Sequence, residues 1–98
     1  MKNIYEYTSP TKEERFTTLL SHKNVKINHI VSSDLVTPIL YKQKEDEWLV
    51  IIEGEALLEM KDKKISLLKG DTLFIPSNTP HRIVKTKKNT VWITVHVF

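Results

Sequence analysis

Cysteine is absent from this 98-residue chain, and glycine nearly so: only Gly54 and Gly70 are present, where an average chain of this length carries about seven. Without cysteine there is no disulfide framework, no thiolate zinc site and no thiol nucleophile. Two distant glycines cannot build a glycine-rich phosphate loop. Each glycine that remains is expected where the backbone needs one. Long apolar runs are missing too: the longest, Trp48 to Ile52, falls far short of the ~18–20 residues of a membrane span. The opening residues, Met1 to Glu6, contain no apolar signal-peptide region. A cytoplasmic location with no membrane partner is the expectation.

Charge is nearly balanced, with 15 Lys and Arg against 12 Asp and Glu, a formal +3. The densest basic stretch, Lys85-Thr86-Lys87-Lys88, has no arginine and no interleaved aromatics. It reads as a solvated turn rather than a nucleic-acid footprint.

One domain is expected over residues 1–98, with no repeats and no linker. Ser9-Pro10 resembles an N-cap followed by a first-turn proline. Phe16, Leu19 and Leu20 fall at i, i+3 and i+4, so residues 1–24 are expected to supply a short amphipathic helix packed outside the rest. From residue 25 the period becomes two. Runs at Val25–Ile30, Val36–Gln43, Glu47–Glu53, Ala56–Lys61, Ile65–Leu68, Asp71–Ile75, His81–Thr86 and Val91–Phe98 predict short strands separated by turns, an all-β sandwich or barrel over residues 25–98. Glu53-Gly54-Glu55 reads as a hairpin turn with glycine at positive φ.

None of the serines sits in the strand-to-helix setting of a nucleophile elbow. The candidates for ligation or proton transfer are Tyr41, Gln43, Glu47, His81 and His96. Tyr41 and Gln43 share a strand face, and a turn at Lys44-Glu45-Asp46 would bring Glu47 close to Gln43. Glu47, Leu49 and Ile51 share a face, which puts a carboxylate on top of an apolar wall. His81 likewise heads a strand whose same-face neighbour is Ile83. Trp48 and Arg82 are expected to point the other way. Parity leaves His96 undecided, because Val91, Ile93, Val95 and Val97 form a more core-like face of that strand.

The stretch from Tyr41 through Gln43 and Glu47 to Gly54 resembles the first cupin motif: two histidines one residue apart, then a glutamate, ending in glycine. Gly70-Asp-Thr-Leu-Phe-Ile-Pro76-Ser-Asn-Thr-Pro80-His81 resembles the second. The fifteen residues between Gly54 and Gly70 match the short spacing of compact microbial cupins. The chain is thereby similar to small single-domain cupins with a divergent first motif. The resemblance implies a six- to eight-stranded jelly-roll barrel with a site inside its mouth, and a homodimer paired through sheet edges. Carried over residue by residue, it places Glu47 at the motif glutamate and His81 at the second-motif histidine. Tyr41 and Gln43 stand where the two first-motif histidines would be. The implied metal ligands are Gln43, Glu47, His81 and His96, holding a divalent Fe, Mn, Ni or Zn ion, with Tyr41 in the pocket wall. The implied functions are a metal-dependent enzyme on a small metabolite (dioxygenase, isomerase or lyase) or a small-molecule-binding or regulatory cupin with weak or no metal. In the metal-free case Glu47 and His81 could serve as a general acid/base pair.

Overall fold

The computed structural model describes residues 3–35 and 37–98. Nine strands follow in order: β1 (Glu14–His22), β2 (Val25–Ser32), β3 (Ile39–Tyr41), β4 (Asp46–Glu53), β5 (Glu55–Met60), β6 (Lys63–Leu68), β7 (Thr72–Ile75), β8 (His81–Thr86) and β9 (Thr90–Val97). They form a five-stranded sheet, β1-β2-β9-β4-β7, facing a four-stranded one, β3-β8-β5-β6. Every strand pair is antiparallel. The fold is all-β, a jelly roll. The expected strand run that opens at Val36 begins outside the described residues, and the strand itself is the three-residue β3.

The expected N-terminal helix is not there: among the described residues the chain has no helix, and Glu14–His22 is a strand paired to β2. The barrel thus takes in a segment that the sequence reading placed outside it. Two physical reasons decide this. The free edge of β2 offers a full ladder of backbone partners, which outweighs the small propensity differences of the segment. The ladder also skips Leu19, so Thr18 faces Asn28 and Leu20 faces Ile27. In the strand Phe16 lines the space between the sheets while Leu19 lies with Arg15 and Thr17 on the outer side, so the i, i+3, i+4 spacing of Phe16, Leu19 and Leu20 marks no common face. In place of a helix, the segment ahead of β1 lies on the outer face of the larger sheet. There the ring Nε2–H of His29 donates to the Ile4 carbonyl at 2.8 Å, and Tyr7 lies 5.9 Å from the His29 ring. His29 is a buried structural histidine.

Gly54 is a corner rather than a hairpin turn. β4 and β5 are consecutive but belong to different sheets, and one residue between them carries the chain from one layer to the other. Gly54 has φ +86° and Gly70 φ +88°, so both adopt the left-handed backbone that side chains resist. Gly70 sits at the reverse crossing, from β6 to β7, where its N–H donates to the Ile51 carbonyl at 2.7 Å. Between the two corners lies the β5–β6 hairpin, turned by Lys61 and Asp62 at φ 52° and 62°. Two left-handed residues in a two-residue loop match the right-handed twist of the strands.

The core lies between the sheets. Leu49 and Ile51 from β4, Trp92 from β9 and Ile75 from β7 meet Ala56, Leu58, Leu67 and Ile83 from the smaller sheet. On β4, Glu47, Leu49 and Ile51 are buried while Trp48 is 42% exposed, as the alternation predicts.

Candidate functional site

One end of the barrel interior is left unfilled. The cavity there amounts to about 70 Å³ and is lined by residues from both sheets. Its walls are apolar, with Leu49, Leu58, Ile75 and Ile83 below, and its polar groups gather at the mouth: Glu14, Tyr41, Gln43, Glu47, His81 and His96. All five sequence candidates are therefore brought to one cavity.

Glu47 is the second residue of β4 and stands opposite His96 of β9 and Ile75 of β7. The chain reaches it from β3 by crossing between sheets rather than by a hairpin, yet the expected proximity holds. The Gln43 Nε2 amide donates to Glu47 Oε1 at 2.6 Å. His81 opens β8 opposite Tyr41, and the two rings stack with centroids 5.8 Å apart. Its Nδ1–H donates to the Thr79 carbonyl at 3.1 Å. A carbonyl can only accept, so the neutral ring keeps its lone pair on Nε2. No described residue bonds that nitrogen.

His96 settles on the inner face. Thr90, Trp92, Thr94 and His96 are all buried on β9; of the alternate residues Val91 is buried as well, Ile93 and Val95 are half-buried and Val97 is exposed. The apolar series, expected to be the more core-like, faces outward over the larger sheet. Parity could not reveal this, because a strand apolar on both faces does not mark which face is inside. His96 Nε2 lies 3.0 Å from Thr94 Oγ1. Its Nδ1 lies 3.0 Å from Glu45 Oε2 but off the hydrogen-bond direction, which leaves that buried nitrogen without a hydrogen-bond partner among the described residues.

These contacts bear on the implied metal. Gln43 turns its amide N–H toward Glu47, and His96 has one nitrogen against Thr94 and the other against Glu45. Among the described residues no three His, Asp or Glu side chains are grouped so as to hold a metal ion. As arranged, the donor set does not fit a four-ligand centre of Gln43, Glu47, His81 and His96; Glu47 and the unbonded Nε2 of His81 are still disposed to bind, while the unbonded Nδ1 of His96 stands against Glu45.

The residue missed by the sequence reading is Glu14, which falls in the segment expected to form a helix outside the barrel. On β1 it faces inward opposite Ser32. Its carboxylate accepts from Ser32 Oγ at 2.5 Å and from the Tyr41 hydroxyl at 2.9 Å, and Trp92 Nε1 donates in turn to Ser32 Oγ at 2.9 Å. Burial raises Glu14 above the ordinary carboxylate value, outweighing these two hydrogen bonds that lower it, and the charge of Glu47 raises it further. Burial and then the charge of Glu14 push the Tyr41 phenol upward as well, so Tyr41 remains a donor. A pattern of inward residues at Glu14, Phe16 and Thr18 was the available signal, legible only if the segment is read as a strand.

The Glu14 shift has a sign that can be checked. Its folded-state pKa lies above the unfolded value, so in the interval between them the folded chain binds more protons. That contribution to stability is present at low pH and is lost as the pH rises through the folded value. Glu14→Gln removes the titration. The stability of the variant minus that of the wild type, from urea unfolding, should increase between about pH 4 and about pH 8. A difference that stays flat or falls would contradict it.

Residues 34–96 match the family model described as "Cupin domain". The chain is 31% identical to the uncharacterized protein YdbB of Bacillus subtilis over 86 residues, 84% of this chain and 74% of that one. It is 30% identical to the uncharacterized protein MJ1618 of Methanocaldococcus jannaschii over 92 residues, 85% of this chain and 74% of that one. Among solved structures it superposes on a candidate mannose-6-phosphate isomerase of Ralstonia eutropha with TM-score 0.90 and 29% identity, covering 99% and 96% of the two chains. A cupin superfamily protein of Desulfitobacterium hafniense gives TM-score 0.82 at 20% identity, covering 94% and 84%.

Proposed function

The chain belongs to the cupin-domain family, and from that premise we propose that its barrel-mouth cavity binds the polar end of a small metabolite and transfers a proton at it. The observation that carries this reading is the state of His81. Its Nδ1–H is fixed on a backbone carbonyl, which leaves Nε2 as the unbonded nitrogen of a ring that lines the same cavity as Glu47. A base oriented by a hydrogen bond on its far side, beside a carboxylate, is the arrangement that general acid/base chemistry requires. His81 takes or gives the proton at Nε2. Glu47, held by Gln43, is its counterpart.

The size of the cavity limits the ligand. Ligand sites for drug-sized molecules occupy roughly 300–1,000 Å³, and about 70 Å³ suits a few heavy atoms or one reactive end of a longer molecule. The isomerase or lyase class is favoured over oxygen chemistry, because it needs only acid and base groups of the kind present. The likeness to the candidate isomerase of Ralstonia eutropha supports the same class. The family's metal chemistry is the second reading, favoured by the backbone-anchored His81, since metal-binding histidines are commonly oriented this way.

One set of measurements separates these. Thermal shift of the untagged protein is recorded with small hydroxy-carbonyl compounds and, separately, with Fe²⁺, Mn²⁺, Ni²⁺ and Zn²⁺. The proposal expects a ligand shift in metal-free protein that disappears in His81→Ala and Glu47→Gln. A stabilising, stoichiometric metal lost on His81→Ala would overturn it in favour of the metal reading. Shifts that persist in both variants would place binding elsewhere.

A second copy of the chain is the protein partner this reading expects, in the cytoplasm. Trp48 and Phe74, 42% and 55% exposed, are paired in register on the outer face of the larger sheet. Contiguous exposed aromatics of this kind support a self-contact. A mass of twice the 11.5 kDa chain by light scattering is the check.

A further inference from the structure

The charge of the cavity wall says more about the ligand than its shape does. Glu14 and Glu47 both line it, and among the described residues no lysine or arginine does. Lys26 stands opposite His96 in register but is not part of the lining. His96 is already set against Glu45, and His81 gives its Nδ1–H to a backbone carbonyl.

Two buried carboxylates facing one space with no lysine or arginine are costly, because their mutual repulsion and lost hydration have no fixed charge to offset them. Glu14 is the less compensated. Its partners Ser32 and Tyr41 are both neutral hydroxyls. Its surroundings are aromatic as well: Tyr41 bonds it directly, Trp92 bonds its partner Ser32, and Phe16 lines the same cavity. A carboxylate in apolar surroundings with lone pairs to spare binds a small cation through Coulomb attraction and charge-assisted hydrogen bonds. An anion would face two carboxylates with no lysine or arginine to offset them.

Building on the small-molecule reading above, we propose that the ligand presents a protonated amine to Glu14, and that phosphate or carboxylate groups are excluded from the cavity. The ammonium N–H groups bond the lone pairs of Glu14 left free by Ser32 and Tyr41. This leaves Glu47 and His81 to act on the adjoining carbon or oxygen. The direction in which burial and Glu47 shift Glu14 agrees with a carboxylate whose counter-charge arrives with the ligand.

Ethylammonium, ethanol and acetate have similar size and opposite or no charge, so they test charge alone. Each is titrated into the wild-type protein while the Trp92 indole N–H signal is followed by NMR, assigned by its loss in Trp92→Phe. Ethylammonium should move the signal and saturate at a concentration about tenfold lower than ethanol, a ratio expected of one charge-assisted bond. Acetate should leave the signal unmoved. Glu14→Gln should bring the ammonium-to-ethanol ratio to about one, while Glu47→Gln keeps most of it. Should Glu14→Gln fail to fold, Glu14→Asp, which withdraws the carboxylate by one methylene, should weaken ethylammonium but not ethanol. Tighter binding of acetate or ethanol, or a preference that survives Glu14→Gln, would overturn the amine assignment and leave the pocket reading intact. No response to any of the three would sink both.

Discussion

Gly54→Ala should be among the most destabilising single-methyl additions in this protein, and Gly70→Ala a mild one. Both glycines have nearly the same left-handed φ, +86° and +88°, so both substitutions carry the backbone penalty of about 1–2 kcal/mol. They differ in what the new methyl meets. At Gly70 nothing lies within 4 Å of the added carbon. At Gly54 the carbon would stand 2.5 Å from Thr90 Oγ1 and 2.7 Å from Thr90 Cα. Thr90 cannot step aside easily. It is fully buried, and its hydroxyl lies between the carbonyls of Lys87 and Glu55, at 2.8 and 3.1 Å. Relieving the overlap means moving the start of β9 away from the β4–β5 corner, a further cost of about 1–3 kcal/mol. The total, about 2–5 kcal/mol, corresponds to a fall in melting temperature on the order of 10–25 °C for a chain this short. Gly70→Ala should lose about a third to a half as much. Equal losses at the two sites, measured by thermal unfolding followed by circular dichroism, would mean that the approach to Thr90 carries no energetic weight.

This contrast also shows what the bare sequence could convey. That two scarce glycines mark positive-φ positions was legible, because only backbone conformation requires glycine so strictly. That Gly54 turns a corner between layers, while its neighbours look like a hairpin, was not: the distinction depends on which strand β5 finds as its partner. The strands from β4 onward were legible for the complementary reason, since their apolar residues alternate and their turns are polar. β1 was hidden because Phe16 and Leu19, which lie on opposite faces of the strand, fall at a spacing that a helix would put on one face. On β9 the difficulty was symmetry, as Val91, Ile93, Val95 and Val97 run alongside Thr90, Trp92, Thr94 and His96 with no sequence mark of the inner face.

The site divides along the same line. Gln43 and Glu47 could be placed together by short-range spacing and parity, and His81 joined them through the resemblance of its stretch to the second cupin motif. Glu14 could not, since it enters the cavity from the far edge of the five-stranded sheet, three strands from β4. Its approach to Tyr41, 27 residues away in the chain, is made by tertiary closure alone. The consequence is chemical as well as structural. The sequence motifs direct attention to a metal-type donor set, whereas the folded cavity sets two carboxylates and an oriented imidazole around a small apolar space.

The apolar floor of that space supplies the second large effect. Ile51→Ala and Leu58→Ala both remove a branched side chain that is at most 1% exposed, and such deletions cost about 2–5 kcal/mol. Ile51 should fall near the top of that range, about 4–5 kcal/mol, and Leu58 near the bottom, about 2–3 kcal/mol. Ile51 does not line the cavity, so its removal leaves a sealed apolar void with no partner atoms on one side. Leu58 does line it, and the space it vacates joins a volume bordered by carboxylates and imidazoles, where water can enter and recover part of the loss. The backbone around Ile51 adds to the asymmetry. Its N–H donates to the Asp71 carbonyl at 3.0 Å and its carbonyl accepts from Gly70, so a collapse toward the void would pull on the second corner of the hairpin. Urea unfolding of the two variants side by side measures the difference. If Leu58→Ala proves as costly as Ile51→Ala, the cavity is closed to water in the folded state, and its polar mouth does not communicate with its floor.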